Sequence, residues 1–330
     1  MAAPRRDEAI AFFEDRWSRA QESYRIEAVL ALTAAYDRFH AEGLADNHFD
    51  QHLLSGSAIQ AEARMGELLL AMLLWRSGFT LSSANAGPDF RGAKDGLTIC
   101  FEVITPEPMG FPEGYLDPPN AGDDTARRVP HEQRVLRWTH ALKTKSDKWI
   151  GGEGEPGWLS KGVVSEREPY VIVINSVLLD RYWWEVNGIS TFPYPVEICY
   201  GVGPIAAAID PRTGNILSEG NQFRPAISRP DRDAVPSSVF LSQGFDHVSA
   251  VLGCSLKEQS IVFGKETCAE LVHNSRANVV IPPNVVPATR EWFGQDEVGH
   301  VAITPIQGNW AAHPEDASST EGRGAVGTQP

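Results

Sequence analysis

Four cysteines in 330 residues are too few and too scattered for a disulfide framework. Cys100, Cys199, Cys254 and Cys268 form no C-x-x-C pair of the kind that holds zinc. A chain so poor in cysteine is expected in a reducing cytoplasm. No apolar run reaches membrane-spanning length, and no apolar stretch follows the basic first residues, Met1 to Asp7, so neither a span nor a signal peptide is expected. Positive charge is also scarce: 29 Lys and Arg stand against 43 Asp and Glu, a formal net charge of −14. That excludes a protein coated in basic charge for tight nonspecific nucleic-acid binding, and any such contact has to be local. The nine histidines show no H-E-x-x-H, and there is no G-x-S-x-G elbow, P-loop, dinucleotide fingerprint or internal repeat.

The apolar fraction, 42%, is enough for a sizeable core in one large domain or two modest ones. Residues 7–54 carry Ala9, Ile10, Phe12, Phe13 and Trp17, then Ile26, Val29, Leu30, Leu32 and Tyr36, near helical spacing, and predict an all-helical N-terminal cap. A long helix is expected from about Ser57 to Trp75, closed by Ser77-Gly78, with a short strand from Phe79. Residues 89–94 and 97–104, joined by Asp95-Gly96, predict a tight hairpin. The Pro-, Gly- and Asp-rich stretch 105–129 reads as a long loop, which could gate substrate; a helix is expected over 131–150 and a buried strand over 169–175. Shorter strands are expected around 196–210, 238–241 and 247–253, with 261–273 less clear, and a disordered tail over 311–330.

The hairpin has a chemical consequence. With Asp95-Gly96 as a two-residue turn, Lys94 pairs with Leu97 and Asp89 falls opposite Glu102. Opposed residues share a face, with Cβ atoms roughly 4.5–5.5 Å apart. Two carboxylates so placed repel unless a cation lies between them, and Mg²⁺ takes one or two carboxylates plus water and phosphate. Leu97, Ile99, Phe101 and Val103 make one apolar face of the second strand; Thr98, Cys100, Glu102 and Ile104 make the other, where Glu102 is the single charge. The alternative is a solvated Asp and an edge-strand Glu with no joint role.

Gly87-Pro88-Asp89-Phe90 and then Glu102-Val103, with twelve residues between Asp89 and Glu102, in the order helix, three strands, helix, strand, resembles the PD-(D/E)XK nuclease superfamily, the restriction-endonuclease-like fold. Ala63 to Leu68, Phe101 to Pro106, Leu136 to Lys145 and Pro169 to Asn175 resemble one of its bacterial branches, and Val248 to Leu252 and His273-Asn274 do so more loosely. The resemblance implies an α/β protein: a helical cap over 1–56, a nuclease-like core over 57–205, a mixed C-terminal extension over 206–310 packed on the core, and the tail. It further implies Mg²⁺- or Mn²⁺-dependent hydrolysis of phosphodiester bonds, in DNA more than RNA. Asp89, Glu102 and the helix residue Glu67 would hold the metal, although Glu67 could instead pair with Arg64 one turn earlier. The family's strand lysine should fall at position 104, which is Ile104.

The 131–150 helix offers a substitute. Arg134, Arg137, Ala141, Lys145 and Lys148 form one stripe, beside an apolar stripe of Val135, Trp138, Leu142 and Trp149. Lys145, on the border, is the candidate to hold the attacking water, with Lys148 able to take its place. Residues 127–148 contain seven Lys/Arg against two acids, and Arg134, Arg137 and Lys148 are expected to meet substrate phosphate. Gln133 and His140 read as surface residues, His273-Asn274 as a strand-end polar pair, and Trp183-Trp184 as packing. A rival expectation, favoured by Ile104 and the overall acidity, is a catalytically inactive nuclease-fold module that binds a protein or nucleic-acid partner.

Overall fold

The computed structural model describes residues 3–310 except 85, 118–127, 153, 181–187, 230–231, 265–267 and 298–299. Part of the 105–129 loop, Arg127, Trp183-Trp184 and the 311–330 tail lie outside the described residues.

Helices come first: α1 (Arg6–Arg16), α2 (Glu22–Ala41), α3 (Phe49–Ser55) and α4 (Ala58–Arg76). α4 begins where Ser57 and Gln60 cap each other's backbone in a reciprocal box, and it ends before Gly78 at φ 88°. Eight strands then build one mixed sheet. They are β1 (Thr80–Ser82), β2 (Phe90–Lys94), β3 (Leu97–Ile104), β4 (Tyr170–Asn175), β5 (Ala250–Cys254), β6 (Ala269–His273), β7 (Arg290–Glu297) and β8 (His300–Gln307), and they lie side by side in chain order. β1, β2 and β3 are antiparallel, β3–β4 and β4–β5 are parallel, and β6–β7 is again parallel. The long α5 (His131–Ile150) connects β3 to its parallel neighbour β4, the kind of crossover that parallel pairing requires. α6 (Tyr194–Tyr200) and α7 (Glu258–Phe263) complete the helices named here.

Two hydrophobic cores sit on the two faces of this sheet. Ile99, Phe101 and Val103 of β3 and Val171 and Val173 of β4 point into the first, against α1–α4 and α7. Cys100 and Ile104 of β3, with Tyr170, Ile172 and Ile174 of β4, point into the second, against α5 and α6. The alternation read from the sequence of β3 is this partition. α5 lies on the second core through Val135, Trp138, Leu142 and Trp149, the apolar stripe of its sequence.

Several expected strands take other forms. Residues 194–200 are helical, and Val202–Ile209 is the strand that follows; every residue of Tyr194–Tyr200 is buried, so no polar face marks a helical period. Val239–Leu241 is a single 3₁₀ turn, and 261–273 divides into the end of α7 and β6. β7 and β8, unread in the sequence, extend the same sheet that β1–β4 begin. Ile216–Phe223 pairs with Val202–Ile209 in a separate two-stranded ribbon.

Candidate active site

The hairpin register is Phe90 opposite Phe101 through Lys94 opposite Leu97, and Asp95 and Gly96 take φ 50° and 81° in the turn. Asp89 lies one residue before β2, at the position facing Glu102. The Asp89 amide donates to Glu102 Oε2 at 2.9 Å, and Asp89 Oδ2 accepts the Val103 amide at 2.7 Å. Glu102 thus caps the Asp89 amide, and Asp89 caps the amide that follows Glu102, where the β2–β3 ladder ends.

Lys145 and Lys148 descend on this corner from α5. Both Nζ atoms donate to Glu102 Oε1 at 2.6 Å, and Lys145 Nζ is 3.8 Å from Asp89 Oδ2. The Glu102 side chain is 0% exposed and that of Lys145 10%, whereas Lys148 is 44% exposed, with its ammonium 5.6 Å from the centre of the Trp158 ring. Burial acts to raise the Glu102 pKa, but the two ammoniums outweigh it and hold the carboxyl below its ordinary value. Burial likewise opposes the charge on Lys145, and Asp89 and Glu102 overcome it, raising its pKa. The turn of α5 carrying Lys145 is pinned to β4: Tyr170 Oη donates to the Lys145 carbonyl at 2.9 Å, and Trp149 stacks on Tyr170 with centroids 4.4 Å apart. Ile104, two residues beyond Glu102, packs into the second core.

Glu67 approaches from α4, on the opposite face of the sheet. It pairs with Arg64, whose Nη1 lies 3.0 and 2.9 Å from its two carboxylate oxygens, and Arg64 Nη2 also reaches Asp46 at 3.0 Å. The Arg64 pairing, one of the two readings of Glu67, is therefore realised, yet Glu67 also shares a cavity of about 110 Å³ with Asp89. Burial, and then the Asp89 charge, push Glu67 up to about 8. Burial raises Asp89 to about 6 against the pull of Lys145.

The phosphate-facing stripe divides. Arg134 is carried into the second core, 1% exposed, with Nη1 2.9 Å from Asp180 Oδ1 and Nη2 3.2 Å from the Tyr115 hydroxyl. In place of the expected phosphate contact it makes a buried ion pair with Asp180, and the centres of the Phe111, Tyr115 and Tyr194 rings lie 5.9, 5.6 and 5.9 Å from its guanidinium carbon. Arg137 turns to the outer flank of α5, away from Glu102. Lys148 is the cation of the three that reaches the carboxylates. His273 and Asn274 are buried: His273 Nε2 bonds Glu291 at 2.7 Å, and Asn274 Nδ2 donates to the Phe245 and Val248 carbonyls. Sequence reasoning missed Tyr170 and Arg64–Asp46 as supports. An aromatic opening a buried strand was the visible trace of the first, and Arg64 three residues before Glu67 that of the second.

The donor set suits a hard cation. Among the described residues no group of three or more His, Cys, Asp or Glu side chains is arranged to hold a metal. Mg²⁺ does not need one, since it keeps several waters and takes one or two carboxylates. Glu67 and Asp89 offer oxygen only, border one small polar cavity, and bear a mutual repulsion that a cation would relieve. Protein donors already engage both oxygens of Glu102, from two ammoniums and the Asp89 amide, and Arg64 engages both oxygens of Glu67.

Among the described residues no helix is long and apolar enough to cross a membrane. Compared with known proteins, the chain matches no family model, no curated protein and no solved structure.

Proposed function

We propose that this protein is a metal-dependent nuclease with a restriction-endonuclease-like core, hydrolysing phosphodiester bonds of DNA or RNA. One observation carries the reading: the Lys145 ammonium, delivered from α5, sits 2.6 Å from Glu102 and 3.8 Å from Asp89, beside the strand position where Ile104 replaces the family's lysine. The order α4, β1–β3, α5, β4, with β3 and β4 parallel, supports the same reading.

Asp89 and Glu67 would hold Mg²⁺ or Mn²⁺, with Glu102 joining when a lysine yields an oxygen. When bound, the ion polarises phosphate and lowers the pKa of a bound water. Lys145, charged and nearly buried, orients the attacking water or stabilises charge growing on the phosphate. Lys148, at the solvent edge, receives the phosphate on its way in. Arg64 keeps Glu67 ionisable in a setting that otherwise favours its neutral form. Tyr170 fixes the height of Lys145 above the sheet.

The test is cleavage of single-stranded DNA, duplex DNA and RNA with Mg²⁺ or Mn²⁺, comparing wild type with Asp89→Ala, Glu102→Ala and Lys145→Ala. Metal-dependent cleavage lost in all three variants supports the reading. No cleavage of any substrate by wild type sinks it.

A second reading, a catalytically inactive nuclease-fold module that binds a partner, is favoured by the engagement of Glu102, whose Oε1 carries two ammoniums and whose Oε2 takes the Asp89 amide. Calorimetric titration separates the two: Mn²⁺ binding abolished by Asp89→Ala supports the enzyme, and no metal binding supports the module.

A further inference from the structure

Along the outer flank of α5, facing away from the carboxylates, runs an open groove of about 860 Å³. Pockets of roughly 300–1,000 Å³ are the usual size for small-molecule ligands. Its walls are largely apolar and come from three segments: Met109 after β3, Leu136 and Ile150 of α5, and Val235, Val239 and Phe245 beyond the ribbon.

Several polar groups on the wall are engaged within the protein. Thr139 Oγ1 donates to the Val135 carbonyl, Ser146 Oγ lies 3.0 Å from His247 Nε2, and Lys143 pairs with Asp147 at 2.6 Å. Arg137 Nε is buried and, among the described residues, has no hydrogen-bond partner. Burial lowers the Arg137 pKa against the opposing pull of Glu107. A buried Nε–H without an acceptor is costly, and a bound oxyanion at the partly exposed Arg137 guanidinium supplies one through a charge-assisted hydrogen bond.

We infer that this groove is a binding site for a small amphipathic anion, its apolar body against Met109, Val235 and Phe245 and its single oxyanion head on Arg137. The site stands apart from the carboxylate pair and does not depend on the nuclease reading. Its occupant would lie on the opposite side of the helix that carries Lys145 and Lys148.

The test uses two fluorescent probes with similar aromatic bodies, 8-anilinonaphthalene-1-sulfonate and the uncharged N-phenyl-1-naphthylamine. Wild type is expected to bind the sulfonate saturably at one site, and more tightly than the neutral probe. Arg137→Gln should weaken the sulfonate about tenfold, the worth of one charge-assisted contact, and leave the neutral probe unchanged. Val235→Trp fills the groove and should abolish both. Val235 is only partly buried, so this variant tests the site even where Arg137→Gln unfolds. Absence of saturable binding by wild type, equal sulfonate affinity in folded Arg137→Gln, or undiminished binding in Val235→Trp overturns the inference.

Discussion

Gly66 of α4 and Asn175 at the end of β4 meet so closely that a Cβ on Gly66 would stand 2.7 Å from Asn175 Nδ2, and 3.1 Å from Thr105 Oγ1. The helix carrying Glu67 is seated on the sheet one residue from that acid. Gly66→Ala should therefore lift α4, costing about 1–3 kcal/mol as overpacking does. Cleavage should fall further than stability alone explains, because Glu67 moves with the helix. Denaturant unfolding and single-turnover assays on the same preparation check this.

Lys145 and Lys148 share one oxygen of Glu102 but differ in burial. Lys145→Met should be the more damaging change, costing about 2–4 kcal/mol because a buried carboxylate loses its enclosed partner. Lys148→Met should cost about 1 kcal/mol or less, as exposed pairs do. The double variant should cost more than the sum, since the first loss leaves the other lysine as the remaining ammonium bonded to Glu102. A double-mutant cycle in urea measures the coupling.

Tyr170→Phe removes the hydroxyl that holds the Lys145 carbonyl. The expected loss is about 1 kcal/mol of stability, the net worth of one hydrogen bond. If Tyr170 positions Lys145, kcat should drop while KM holds. Equal effects on both, or none on kcat, would leave Tyr170 a packing residue.

Acid at this corner sets a pH dependence. Asp89 at about 6 and Glu67 at about 8 both lie above their unfolded values near 4. Below about pH 4 both states hold these protons and there is no penalty. As pH rises through about 6 and then about 8, the folded protein must ionise groups it prefers neutral, and stability falls, by a few kcal/mol on this order-of-magnitude reasoning. A divalent cation needs the ionised forms, so Mg²⁺ should raise Tm more at about pH 8.5 than at about pH 5.5. Glu67→Gln should flatten the upper part of the profile. Thermal melts across pH, with and without Mg²⁺, show whether it does.

Arg134→Ala should behave as a core lesion. It strands Asp180, which also accepts from Ser176, and should cost about 3–5 kcal/mol. Metal affinity of the folded fraction should not change. A selective loss of nucleic-acid binding at full stability would restore the phosphate role to Arg134.

The hairpin was legible because its information is local: Asp95-Gly96 sets the turn, the turn sets the register, and the register places Asp89 before Glu102. α5 was legible because Val135, Trp138, Leu142 and Trp149 repeat at its period. The direction of its basic stripe was not. Arg134 and Lys145 share a stripe, but which cations turn inward depends on Asp180 and Glu102, far away in sequence and supplied by other elements. α6 was misread because burial on all sides erases the pattern that distinguishes helix from strand. β7, with Glu291 and Arg290 at its start, lacks an apolar signature; Glu291 is accommodated there by His273 and the Asn284 amide.

Asp89 stands between the two layers, sharing a cavity with Glu67 from one face of the sheet and lying 3.8 Å from Lys145 from the other. Neither layer alone contains the chemistry. A nascent or partly unfolded chain in which only one side has docked carries the acids without the lysines, or the lysines without Glu67. If the protein is the nuclease proposed above, cutting would require both layers to be docked on the sheet, and a half-made molecule would be inactive.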